Sequence, residues 1–313
     1  MTVTDSLTWT LPQPTADLSR WRTFGCALAS LLETAGDDGH VVLPGLLAPQ
    51  LPGEDTPTPP DWQHAGTATA RLDRVLQLLG ESLGAVLTWK NQQDGAAVHN
   101  IVPTAGAERL QIGAGSTSEL VLHTEDAFHP DRADLVILAC VRNPDRVPTR
   151  LASVRHVSLA EEHWRQLGRR RVAISVDSSY GDDPAGTGPP PTTRHTVATV
   201  WRRGDTAALR FDPAYSRLPD DPAFREAYAA LEAGLAAVRE DVVLEPGDLL
   251  ILDNNTVVHG RSPFVPRYNG NDRWLKRVLV GTGVERHPAE RWEPAHEQTP
   301  VVAARTRDVP WTF

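Results

Sequence analysis

Several things are scarce in this sequence, and each absence narrows what the chain can be. Cysteine is one: Cys26 and Cys140 are the two thiols in 313 residues, and they lie too far apart to indicate a disulfide framework. Cys140 sits in the apolar run from Asp134 to Val141, where a thiol packs as a small hydrophobe. Positive charge is in deficit, with 31 lysines and arginines against 40 acidic residues and a net charge of −9. No basic stripe is available to displace phosphate counterions, so nucleic acid is not an expected partner. Nothing approaches the ~20 apolar residues that cross a bilayer, so no membrane partner is expected either. Met1 to Thr8 has neither the basic start nor the apolar stretch of a secretory leader, and a cytoplasmic protein is expected.

What is present is the composition of an ordinary soluble enzyme, 40% apolar and 23% charged. Leu18, Trp21, Phe24, Leu28 and Leu31 recur at helical spacing within residues 16–33, and Leu72, Val75, Leu76 and Leu79 do so within 67–83. Between them, Leu43 to Pro60 is proline-rich and irregular. From Ala85 the pattern changes to short apolar runs between turn residues, which predict strands at 85–89, 119–124, 135–141, 171–176, 195–201, 248–253 and 275–281. Helices are predicted at 159–167 and 222–240, the second opened by Asp221 before Pro222. Tyr180 to Pro191 cannot form a regular element and reads as a lid or a surface loop. The pattern predicts one domain over 1–313: a helical part to about 83, a β-rich core from about 84 to 282, and a tail at 283–313 with no assigned structure. The fold class is mainly β with flanking helices, a jelly roll of two sheets.

The chemistry concentrates in two segments. In Leu122-His-Thr-Glu-Asp-Ala-Phe-His-Pro130, residues two apart in a strand project to one face, which puts the His123 imidazole beside the Glu125 carboxylate. Asp126 would turn to the opposite face, and His129, His99 and His195 read as structural. A His-x-Glu tripeptide alone is weak. It gains meaning from His259, which precedes Gly260-Arg261 after an apolar strand and completes two histidines and one carboxylate. Such a facial triad leaves three positions of iron(II) open. Beyond it, Arg273 and Arg277 are four apart and share a strand face, where guanidinium forks match carboxylates.

His123-Thr-Glu-Asp-Ala-Phe-His-Pro130, Arg142-Asn-Pro-Asp145 and the stretch from Val257 to Arg277 together resemble the clavaminate synthase-like iron(II)/2-oxoglutarate oxygenases, over about Leu83 to Gly281. Within them the likeness is greatest to the free amino-acid hydroxylases acting on asparagine, arginine or lysine. The resemblance implies a double-stranded β-helix core of the cupin type, with iron(II) held by His123, Glu125 and His259, and 2-oxoglutarate and O2 as cosubstrates. It implies that Arg273 holds the distal carboxylate of 2-oxoglutarate, with Thr149 nearby, although Arg150 stands where relatives often have a small residue. It further implies that Arg277 meets the substrate α-carboxylate, that Gln92 and Glu125 contact its backbone, and that Asp212 lies near its side chain.

The implied reaction is hydroxylation of an unactivated carbon, C3 or C4, of a free L-amino acid in secondary-metabolite biosynthesis. Asp177, Asp182, Asp183 and Asp212 favour a basic substrate such as arginine, lysine or a derivative. An asparagine-type neutral substrate and a desaturase on the same scaffold are the alternatives. A non-redox metal cupin, which would not need Arg273, or a jelly-roll binding module whose histidines are structural is the alternative from another class.

Overall fold

Strands that are apolar on both faces must be covered on both, and that requirement organises the molecule. The computed structural model describes residues 9–15, 17–180, 195–204, 206–284, 286–290, 293 and 298–303. In chain order the elements are α1 (Leu18–Thr34), β1 (His40–Leu43), α2 (Ala70–Leu83), β2 (Ala85–Trp89), β3 (His99–Ile101), β4 (Leu120–His123), β5 (Leu135–Arg142) and β6 (Thr149–Ser153). Then come α3 (Glu161–Leu167), β7 (Ala173–Ile174), β8 (Val200–Arg203), β9 (Thr206–Leu209), β10 (Ser216–Arg217) and α4 (Pro222–Ala237). The chain closes with β11 (Glu240–Val242), β12 (Leu249–Asp253), β13 (Val257–Arg261), β14 (Trp274–Gly281) and β15 (Pro300–Val302).

The larger sheet has the order β1-β12-β5-β14-β2-β15, with β3 also paired to β14, and the smaller has β11-β6-β13-β4. All these pairings are antiparallel. The result is the expected mainly β fold with a jelly-roll core and flanking helices. Alternation along β5 shows how the layers are cemented. Leu135, Ile137, Ala139 and Val141 join a core with Trp21, Leu28, Leu72 and Leu76 of α1 and α2. Val136, Leu138 and Cys140 instead join Leu151, Val257 and Val258 of the smaller sheet. Burying each of the leucines stabilises the fold by roughly 1.5–3 kcal/mol.

The same alternation along β14 decides where its charges go. Trp274, Val278 and Val280 face the helices, and Leu275 and Leu279 face the smaller sheet. Lys276 falls on the helix side, where its Nζ donates to Thr69 Oγ1 at 2.7 Å and pairs with Asp73 Oδ1 of α2 at 2.8 Å. Arg277 consequently falls on the side of the smaller sheet. α2 can lie close on β14 because residue 80 is glycine. A Cβ there would meet Val86 Cγ2 at 2.8 Å and Val278 Cγ1 at 3.0 Å.

Several expectations need correction. The strand expected at 171–176 shrinks to Ala173–Ile174, and that at 195–201 begins only at Val200, because Val172 and Val197 meet in a single bridge. The helix expected to reach residue 240 stops at Ala237, and 240–242 pair with β6 instead. Eight strands, β1, β3, β6, β9, β10, β11, β13 and β15, are additional to those predicted. Most of the expected lid, with Asp182 and Asp183, lies outside the described residues.

The tail, to which the sequence assigned nothing, supplies counter-ions to two buried arginines. Arg132 and Arg210 are 0% and 1% exposed. Arg132 pairs with Glu290 at 3.2 Å, and Arg210 pairs with Glu293 at 2.8 Å and Glu290 at 3.3 Å. Arg210 also donates to the carbonyls of Ala127 and Phe128, and Arg132 to that of His129. Removing one member of such a network strands the others as buried charges. The Arg210→Met variant is expected to unfold in urea with a loss of about 3 kcal/mol or more. A midpoint equal to that of the parent would show that the cluster contributes nothing.

Candidate metal centre and its cavity

β4 and β13 bring the two histidines together as direct cross-strand partners, with ring centroids 4.5 Å apart. Gly260 permits the approach: a Cβ there would lie 2.5 Å from Leu120 O, at the point where the register shifts between His259 and Arg261. His259 therefore sits in the middle of a strand of its own, reached by the turn after β12.

Glu125 lies beyond the end of β4, so the pleat expected to set it beside His123 and to turn Asp126 away does not operate. Backbone contacts place it instead. Asn254, fully buried in the β12–β13 turn, accepts from Glu125 N at 2.8 Å and donates to Glu125 O at 3.0 Å and Ala133 O at 2.9 Å. Asp126 takes a left-handed conformation, φ 54°, and accepts from Trp89 Nε1 at 2.7 Å and from the Tyr180 hydroxyl. It does support neighbouring segments, but from the cavity wall.

One ligand atom from each of His123, Glu125 and His259 lies within 4.8 Å of the other two. His123 Nδ1 is 2.9 Å from Val121 O, which puts its hydrogen on that nitrogen and keeps the lone pair on Nε2 for a ligand. Burial, aided by neighbouring His259, lowers the His123 pKa, so the ring is neutral as a metal ligand must be. Burial opposes the Glu125 charge, but the Arg277 guanidinium and His259 outweigh it and hold the carboxyl far below its usual range. Glu125 Oε2 lies 3.2 Å from His259 Nε2. Two imidazoles and an ionised carboxylate, dry on one side and open to a cavity on the other, fit ferrous iron.

That cavity, about 430 Å³, is lined by all the expected site residues: Gln92, Thr149, Asp212, Arg273 and Arg277 besides the three candidates for the metal. Arg273 donates to Thr149 Oγ1 at 3.2 Å, and it forms no ion pair among the described residues. Burial lowers its pKa to about 10. Arg261 behind it is lowered to about 9, by burial and by the Arg273 charge. Two buried guanidinium groups with no carboxylate partner among the described residues suit this end of the cavity to an anion. Arg150, by contrast, points outward to Glu119 and Asp241.

At the other end the sign reverses. Arg277 binds Glu125, Gln92 Oε1 at 3.1 Å and His99 Nδ1 at 3.0 Å. Gln92 in turn donates to Ser179 Oγ at 3.0 Å. Asp212 is delivered beside His123 because Thr124 and Phe211 bond reciprocally, at 2.7 and 3.1 Å. Burial, against the pull of His123 and with the push of Asp177, raises Asp212 to about 6. Burial also raises Asp177, although Ser179 donates to it. His129 turns away, its Nδ1 accepting from Asp131 N at 2.9 Å, and His195 does not line the cavity.

With this geometry in hand, comparison with known proteins is direct. Residues 69–279 match the family model "Taurine catabolism dioxygenase TauD, TfdA family". The chain is 34% identical to the enduracididine beta-hydroxylase of Streptomyces hygroscopicus over 258 residues, 75% of this chain and 76% of that one. It is 34% identical to the L-asparagine oxygenase of Streptomyces coelicolor over 275 residues, 84% of this chain and 77% of that one. Among solved structures it resembles the non-heme iron oxygenase OrfP in complex with Fe and alpha-ketoglutaric acid. The TM-score there is 0.71 at 34% identity, covering 85% of this chain and 81% of that one. The chain belongs to the TauD/TfdA dioxygenase family. It is an iron(II)- and 2-oxoglutarate-dependent oxygenase, which removes the non-redox metal cupin and the binding module from consideration. No helix among the described residues is long and apolar enough to cross a membrane.

Asn254 is the residue that sequence reasoning missed. Its signal, an Asp-Asn-Asn-Thr turn, reads as ordinary turn chemistry, and only the fold aims the amide at Glu125. Asn254→Ala is expected to weaken metal affinity by about 10- to 100-fold, as loss of a group that orients a ligand does. Titration with cobalt(II), followed by its visible absorption, measures this. An unchanged affinity would remove Asn254 from the site.

Proposed function

We propose that the enzyme hydroxylates C3 or C4 of a free basic L-amino acid, arginine, lysine or a derivative, through a ferrous centre held by His123, Glu125 and His259. The observation that carries the substrate class is the pair Asp177 and Asp212, half-buried in the cavity wall with no ion pair to either among the described residues. A cationic side chain would relieve both. A neutral amide filling the cavity would cover both carboxyls without supplying the charge that either lacks.

In this reading Arg273, steadied by Thr149, takes the distal carboxylate of 2-oxoglutarate in the anion end of the cavity. Arg277 and Gln92 take the substrate α-carboxylate and backbone, and the Glu125 oxygen facing them accepts from the α-amine. Iron(II), with 2-oxoglutarate and oxygen, supplies the oxidant for C–H hydroxylation and leaves succinate and carbon dioxide. What the chain contributes is placement. Carboxylate, amine and side chain are each pinned, so one C–H bond is presented to the metal. Secondary metabolism is the setting we propose, since the relatives include a clavaminate synthase and the enduracididine hydroxylase. The cytoplasm is the proposed location. Both cysteines are free there, as a reducing compartment keeps them.

The test is a screen of the twenty amino acids and cyclic arginine derivatives for iron-dependent succinate release. Arginine, lysine or a derivative is expected to lead, and a response to asparagine alone would overturn the basic-substrate reading. Asp212 must be ionised to hold a cation, and its pKa is about 6. Affinity for L-arginine is therefore expected to rise from about pH 5 to 7, and Asp212→Asn to flatten that rise. A profile in Asp212→Asn matching the parent's would acquit Asp212. Arg273→Ala is expected to raise the KM for 2-oxoglutarate about 100-fold or more. An unaltered KM would refute its role.

A further inference from the structure

One buried titratable group beside the cavity has no part in the reading so far. His99 opens β3 and is the direct cross-strand partner of Arg277 on β14. It is 2% exposed and does not line the cavity. It lies behind the guanidinium, out of reach of any ligand in front of it. Nη2 of Arg277 is 3.0 Å from His99 Nδ1 and 3.1 Å from Gln92 Oε1. A guanidinium has donors and no acceptor, so this contact requires the lone pair on Nδ1 and the hydrogen on Nε2. Burial and the charge of Arg277 act in the same direction and push the His99 pKa down to about 3.

We infer that His99 is a positioning residue: as a neutral acceptor it fixes the plane of the Arg277 guanidinium so that the fork faces the substrate α-carboxylate. The inference rests on the reading of Arg277 given above. Three acceptors surround this guanidinium, and two of them have other duties. Glu125 is shared with the metal, and Gln92 faces the substrate backbone and Ser179. His99 is the partner that a ligand leaves untouched. Its chemistry also suits the task better than an acid would. A carboxylate at position 99 would neutralise Arg277 and compete with the substrate, whereas an imidazole orients the cation and leaves its charge to be used.

Anaerobic calorimetry on the enzyme loaded with iron(II) and 2-oxoglutarate tests this, with L-arginine and agmatine, its decarboxylated analogue, as probes. The parent is expected to prefer L-arginine by about tenfold or more, the value of a charge-assisted hydrogen bond. His99→Leu is expected to lose about tenfold for L-arginine and nothing for agmatine. His99→Gln, which moves its carbonyl to the Nε2 position, should behave alike. His99→Asn, whose Oδ1 stands where Nδ1 did, should bind within about threefold of the parent. Affinity for 2-oxoglutarate should be equal in all. A parent that does not distinguish the two probes would refute the reading of Arg277. A discriminating parent with His99→Leu and His99→Gln equal to it would overturn the role of His99. Crystal structures of both variants decide independently of any probe: an undisplaced Arg277 guanidinium overturns the proposal.

Discussion

The pairing of His123 with His259 across β4 and β13 is the contact on which the rest of the site depends. It places two imidazoles at a fixed separation from residues more than a hundred positions apart, and it does so on strands, the stiffest supports the fold offers. Gly260 makes it possible, because any side chain there would collide with the Leu120 carbonyl. Glu125 needs more help, since it lies past the strand end. Asn254 and the Thr124–Phe211 bonds hold its backbone, and Arg132 and Arg210 hold the turn that follows. The tail residues Glu290 and Glu293 thereby belong to the support of the site, although they lie far from the chemistry.

Charge is the second organising constraint. Among the described residues, the buried Arg261 and Arg273 have no carboxylate partner, and the half-buried Asp177 and Asp212 have no cation paired to them. Each arrangement is unfavourable by itself, and a protein keeps such groups where a ligand completes them. A dianionic cosubstrate at one end and a cationic side chain at the other would compensate both. Arg277, by contrast, is matched by Glu125, Gln92 and His99. In the proposed reading, that separation of charge would orient two different carboxylate-bearing molecules in one space.

The double role of β14 illustrates how little room the fold leaves for substitution. Adjacent residues Lys276 and Arg277 face opposite sides, one pinning α2 and the other reaching the cavity. A shift of one residue in its register would send the lysine to the cavity and the guanidinium under the helix. The unbroken pairing with β5 from Leu275 to Val280 prevents that slip.

The sequence by itself determined which residues are the candidates for the centre. His123, Glu125 and His259, with Arg273 and Arg277 following in order, were legible because each sits in a local pattern of strand, turn or spacing. Long apolar strands such as β5 and β12, and the helices with a 3.6-residue stripe, were legible for the same reason. Short strands such as β3 and β6 were not, since their pairing partners, rather than their own residues, make them strands. Tertiary structure alone decided why Glu125 points where it does, that His99 stands behind Arg277, and that a tail without a pattern supplies the counter-ions of Arg132 and Arg210. Those facts depend on contacts between residues about 80 to 180 positions apart, and periodicity along a chain carries no information about which distant side chain will fill a buried vacancy.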